Sequence, residues 1–157
     1  MPDGPRYEDD FYAWALYQAE VLRTMAVADN RFDRENVAEE IVTLGRSERD
    51  AVRSQVRRII EHLLKLAYSP APNPRFGWMA SIAEARSGLG DKLSPTLRQD
   101  AEAVLSQLFR DGRRQAELGL RGYGEIQAAD ALPQTCPWSL DDICRGDWYP
   151  ERHGEKP

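Results

Sequence analysis

Apolar residues recur along this chain at intervals of three and four, the spacing of helices that bury one face. Phe11, Trp14, Ala15, Val21, Leu22 and Met25 mark a first helix, with Gln18 its one polar interruption. It starts at a cap on Asp9 or Asp10 and runs to about Met25. Val37, Ile41 and Leu44 mark a second helix over 34–44, capped by Asp33 and closed by Gly45. Ser47, three residues before Asp50, resembles a capping box and opens a third. Val52, Val56, Ile59, Ile60, Leu63, Leu66 and Ala67 give that helix the longest apolar stripe in the chain, ending near Tyr68.

The segment SPAPNP over 69–74 cannot continue a helix, because each proline lacks an amide donor and restrains its predecessor. Asn73 before Pro74 predicts the cap and first turn of a fourth helix, ending near Gly88 or Gly90. Its stripe is Trp78, Ile82, Ala85 and Leu89. Ser94-Pro95 repeats the signal and predicts a fifth helix to about Leu118. Leu97, Ala101, Val104, Leu105, Leu108 and Phe109 lie on one side of it, and Gly112 on the same face admits close packing of a neighbour.

The chain changes character from Gly119 onward. Pro133, Pro137 and Pro150 alternate with Tyr123, Trp138, Trp148 and Tyr149, and Ser139 can cap one short helix over 140–144. So aromatic a tail is expected to be ordered and wrapped on the body, since disordered tails are poor in aromatics. The predicted fold is all-α: a bundle of about five main helices with an ordered, aromatic- and proline-rich C-terminal tail. The 18 Ala and 15 Leu against 17 β-branched residues favour helix in the same way. A length of 157 residues fits one domain, expected over 7–150, with frayed ends at 1–6 and 151–157.

Charge narrows the function. Twenty-one basic and 26 acidic residues give a net charge of −5, a field that repels nucleic acid and anionic membrane. No stretch approaches the ~18 apolar residues of a membrane span. No positive segment followed by an apolar run opens the chain. A cytoplasmic location is expected. Cys136 and Cys144 are too few for a disulfide scaffold. With only His62 and His153 beside them, no metal or cofactor is expected.

Three groups of side chains merit weighing as chemistry. Glu40 and His62 each sit at the edge of an apolar stripe. If the second and third helices are neighbours, the carboxylate can fix the imidazole tautomer, with Lys65 nearby, for acid–base work or ligand binding. The plainer reading is two half-buried polar groups satisfying each other at a helix seam. Arg46, Arg53 and Arg57 share a flank of the third helix and could hold phosphate or nucleic acid; the plainer reading is a solvated face paired with nearby acids. The four tryptophans could line a pocket for a planar ligand, or anchor the core and tail. No phosphate-binding loop, dinucleotide turn, nucleophile elbow or zinc-protease helix is present.

Several separated motifs, taken in order, resemble one family. They are YEDDFYAWALYQAEVLR (7–23), ENVAEEIVTLGRSER (35–49), EHLLKL (61–66), the Ser94-Pro95-x-Leu97 set and LPQTCPW (132–138). This pattern is similar to the domain of unknown function family 29, small bacterial and cyanobacterial proteins, over about residues 7–150. The resemblance implies a small all-helical cytoplasmic protein and no catalytic residues. It departs from the family pattern at Leu66, where members often carry an aromatic, and at Phe109, where they often carry Tyr. The shared Trp14, Glu40, His62, Lys65 and Arg86 are its candidate binding residues. The reading is a non-catalytic interaction or regulatory module with a protein partner or a second copy of itself. A small-ligand site or acid–base enzyme using Glu40, His62 and Lys65 is the alternative. Nucleic-acid binding through Arg46, Arg53 and Arg57 ranks last.

Overall fold

The computed structural model describes residues 4–154. Among them lie seven α-helices, a 3-10 turn over Gly90–Lys92 and no strand, so the all-α class is observed. The helices are α1 (Phe11–Thr24), α2 (Arg34–Tyr68), α3 (Arg75–Leu89), α4 (Pro95–Ala103), α5 (Leu105–Gly122), α6 (Ile126–Ala131) and α7 (Leu140–Cys144). Of the ends expected to fray, over 1–6 and 151–157, residues 1–3 and 155–157 lie outside the described residues. The described chain groups into two compact units: one up to Val52 together with Asp91–Asp100, the other Arg53–Gly90 together with the chain from Ala101 onward. The long helix α2 contributes to both.

In the first unit, Asp10 caps α1, its Oδ1 accepting from the Ala13 amide at 2.9 Å. Its other oxygen accepts from the Thr96 amide at 3.2 Å, in the first turn of α4. One carboxylate thus serves two helix N-termini. Burial pushes the Asp10 pKa up, but hydrogen bonds from Thr96, Ala13 and Ser94 outweigh it and leave the pKa lowered. The seam between α1 and α2 is made of small residues. Ala15, Ala19 and Ala38 are fully buried and Val42 nearly so, with Leu22 and Ile41 packed on Ala19, Ala38 and Val42.

This arrangement corrects two expectations. Val21, Met25, Val37 and Leu44, read above as stripe residues, are exposed. The buried face is instead the alanine face, because small side chains let two helix backbones approach. Nor does Gly45 end a helix. It lies inside the continuous 35-residue α2, and a Cβ there would stand 3.1 Å from the Ala15 Cβ. Glycine costs a helix interior about 1 kcal/mol relative to alanine; here it makes room for α1. Ser47 and Asp50 accordingly sit in mid-helix and cap nothing.

The second unit is built differently. Val56, Ile59, Ile60, Leu63 and Leu66 of α2 are at most 1% exposed. Ile82 of α3, Phe109 and Leu120 of α5 and Ile143 of α7 are buried to the same degree. Helix α5 comes close to α2 at Gly112, where a Cβ would lie 2.9 Å from the Arg57 carbonyl oxygen. The cap expected at Asn73 is not made: Pro74 holds the N-cap position of α3, with no side-chain bond. Gly90 closes α3 at φ +28°, a conformation suited to glycine. The single fifth helix expected over 95–118 is two. Val104, at φ −109° and ψ 12°, leaves the helical basin between α4 and α5. No glycine or proline marks that break, so packing rather than local propensity sets it.

The tail is ordered to Gly154 and includes α6, which periodicity did not reveal. Ser139 caps α7 by accepting from the Asp142 amide at 3.1 Å. Leu132, Leu140 and Ile143 are buried. Beyond residue 150, Arg152 donates to the Pro70 carbonyl and the His153 amide donates to the Ala67 carbonyl, tying the chain to the end of α2.

Candidate functional site

The five candidate residues fall in separate places. Trp14, in α1, joins an aromatic cluster with Tyr7 and Phe11, at centroid distances of 4.9 and 5.8 Å. Glu40 is exposed on the N-terminal half of α2. His62 lies on the same helix, 22 residues later. At 1.5 Å of rise per residue that is roughly 33 Å of helix. Glu40 and His62 therefore form no pair: the two helices expected to bring them together are one. His62 is half-buried, and its Nδ1 has no hydrogen-bond partner among the described residues. Burial lowers its pKa to about 4; the charge of Glu61 opposes this, while Lys65 and Arg58 add to it.

Arg86 is a structural anchor. It is 7% exposed, its Nε donates to the Ile143 carbonyl at 2.9 Å and its Nη2 to the Asp142 carbonyl at 3.3 Å. It thereby satisfies carbonyls in the last turn of α7. Burial pushes its pKa down, against the pull of Tyr149, Cys144 and Asp147. The Cys136 thiol donates to the Trp138 carbonyl and has its pKa raised by burial. No disulfide joins it to Cys144.

Lys65 opens onto a sizeable cavity. A groove of about 600 Å³ is walled by Trp78 and Pro74 near the start of α3, by Gly119 and Leu120 of α5, and by Tyr123 and Glu125 just beyond it. The Lys65 ammonium donates to Glu61 Oε1 at 2.7 Å. Gly119 provides its room, since a Cβ there would meet Lys65 Cε and Nζ at 2.9 Å. Glu125 accepts from the Ser69 hydroxyl at 2.9 Å. Tyr123 is 89% exposed and lines the same groove as Pro74 and Trp78. Such a groove offers apolar and aromatic area, with an ammonium and a carboxylate to orient what enters. Its charged groups are already engaged with neighbours, an arrangement suited to recognition.

Tyr123, Glu125 and Gly119 were not singled out from the sequence. The signal for Tyr123 is its place between Gly122 and Gly124. An aromatic flanked by two glycines in a turn has little to bury it. Glu125 carries no such signal, because its place depends on how α5 ends. Among the described residues no group of three or more His, Cys, Asp or Glu could hold a metal ion. Nor is any helix long and apolar enough to cross a membrane.

Residues 6–149 match the family described as domain of unknown function DUF29. The chain belongs to this family. No curated protein matches the sequence. Among solved structures, the DUF29 chain is similar to an alpha-helical protein of unknown function from Rhodospirillum rubrum. The two are 23% identical with a TM-score of 0.81, over 93% of each chain. At that identity the likeness establishes the fold, and it extends over nearly all of both molecules.

Proposed function

We propose that this DUF29 protein is a non-catalytic interaction module that receives a protein partner in the Trp78–Tyr123 groove. One observation carries the reading: a ring as exposed as Tyr123 forms a wall of a groove of about 600 Å³. Exposed aromatics beside a concave apolar surface are the usual anchors of protein interfaces. Lys65 and Glu125 would orient the partner. Pairing of Lys65 with Glu61 and of Glu125 with Ser69 supports binding over proton transfer. The separation of Glu40 from His62 weakens the acid–base alternative.

The partner includes the case of a second copy, giving a homodimer. The composition supports a cytoplasmic location. Nucleic acid ranks behind a protein: Arg46 pairs with Glu39 at 3.4 Å and Arg57 contacts the Ser54 hydroxyl, within a chain of net charge −5.

Replacing Tyr123 with a photo-crosslinking phenylalanine analogue in cells tests this reading, with the same analogue at Leu44, 58% exposed in the first unit, as control. A discrete adduct is expected from position 123, lost when Trp78→Ala is added, and none from position 44. Equal labelling from both positions, or none from 123, rejects the groove as the interface.

A further inference from the structure

Tyr68, Trp138, Trp148, Tyr149, Glu151 and His153 line a second groove, of about 440 Å³, beside the end of α2. Five of these six residues carry rings. Trp138 and Trp148 meet edge to face, centroids 5.9 Å apart and planes inclined at 70°, so they form a corner. Tyr68 stacks on His153 at 4.6 Å. Pro137 and Pro150 border the same space. A shallow surface of rings and prolines is suited to an extended peptide segment.

The aromatic cluster already holds one cation. The guanidinium carbon of Arg86 lies 5.3 Å from the centroid of Tyr149, and its hydrogen bonds go to backbone carbonyls. A ring face and two carbonyl oxygens are thus what touch a buried guanidinium here. One carboxylate stands in the lining of the groove itself. Glu151 is exposed and lines it, and no Lys or Arg does so among the described residues. Arg152, the next residue, donates to the Ser69 and Pro70 carbonyls.

We propose that this groove binds an arginine side chain carried on an extended segment of a partner protein. The guanidinium plane lies in the Trp138–Trp148 corner against a partly buried ring face, where the quadrupole attracts it. Glu151 accepts its N–H donors, and the prolines flank the backbone on either side. The site shares no residue with the Trp78–Tyr123 groove, and the four tryptophans tell the two apart.

The test follows the four indole N–H resonances of the full-length, isotopically labelled protein, assigned by single Trp→Phe substitutions, as N-acetyl-arginine amide is added. Trp138 and Trp148 are expected to shift along a saturating curve while Trp14 and Trp78 stay in place. N-acetyl-citrulline amide has the same shape without the charge and should bind about threefold more weakly. Glu151→Gln should weaken arginine binding by about twofold to threefold. Equal binding of the two compounds, unmoved Trp138 and Trp148 signals, shifts centred on Trp78, or no effect of Glu151→Gln would each overturn the proposal. Movement of the same signals with protein concentration alone would make the occupant a second copy of the chain and overturn the assignment to a partner protein.

Discussion

The two units of this molecule solve the same packing problem with different side chains. In the first, α1 and the start of α2 meet through Ala15, Ala19, Ala38 and Val42. Larger apolar residues such as Leu16, Val21, Val37 and Leu44 remain at least 37% exposed. In the second, Ile59, Ile60, Leu63, Ile82 and Phe109 are at most 1% exposed. Helix α2 runs through both, so the contrast arises on one continuous element. Helices that approach through alanine and glycine bury backbone and Cβ surface, and their bulky residues are displaced to the flanks. In the second unit leucine, isoleucine and phenylalanine side chains are themselves buried, although Gly112 still lets α5 approach α2 closely at one point. The first arrangement buries less apolar area per contact, and burial contributes roughly 25 cal/mol per Å². The second unit should therefore hold most of the stability, and it also contains both grooves.

The largest expected effect tests that imbalance. Phe109→Ala should destabilise the protein by about 4 kcal/mol, the range for a fully buried aromatic. Val42→Ala in the first unit should cost about 1.5 kcal/mol, for roughly two methylene equivalents. Urea unfolding of both variants gives the ratio; equal losses would break the comparison.

A second effect belongs to the second unit alone. The His62 pKa is about 4 in the folded protein against 6.5 for the unperturbed side chain. As pH falls, the unfolded chain takes up this proton first. Stability from neutral His62 is complete above pH 6.5, declines toward pH 4 and is lost below it. The expected loss is on the order of 2 kcal/mol, allowing for screening of a partly exposed group. His62→Gln should flatten the stability profile in that window. An unchanged slope would mean that His62 is not the titrating group.

Asp10 probes the first unit. Asp10→Ala removes the acceptor for Ala13 and Thr96 and should cost about 1 kcal/mol, the usual cost of an N-cap. With its folded pKa lowered below 3.8, Asp10 contributes stability above the unfolded pKa that disappears as pH falls through the folded one. The acid limb of the wild-type profile should therefore be steeper than that of Asp10→Ala. The smallest effect sharpens the contrast from the other side. Leu44→Ser should change stability by less than about 0.5 kcal/mol, because Leu44 is 58% exposed. A larger loss in thermal melts at low concentration would place Leu44 in the core after all; a loss that grows with protein concentration would reveal a self-associating face.

Much of the fold is legible in the sequence, and the part that is not follows the same division. The stripe from Val56 to Ala67 is a buried face of α2, as its periodicity indicates. The Asp10 cap of α1, the Ser139 cap of α7 and the SPAPNP break act through groups local to the chain. They are readable for that reason. The stripes through Val21 and Leu44 mislead, because a search for large apolar residues passes over a seam built from alanine.

Sequence alone determined the helical class, the longest buried stripe, the caps at Asp10, Asp33, Ser94 and Ser139, and family membership. Each depends on residue type at short spacing. Tertiary structure decided the rest. The helix α2 runs on through Gly45, and what requires glycine there is Ala15 from another helix. The break at Val104 has no local signal. Separation of Glu40 from His62 follows from that continuity. The groove at Lys65 exists because Gly119, 54 residues away in the chain, leaves room for its side chain. Contacts between distant segments have no period and no neighbouring residue to announce them.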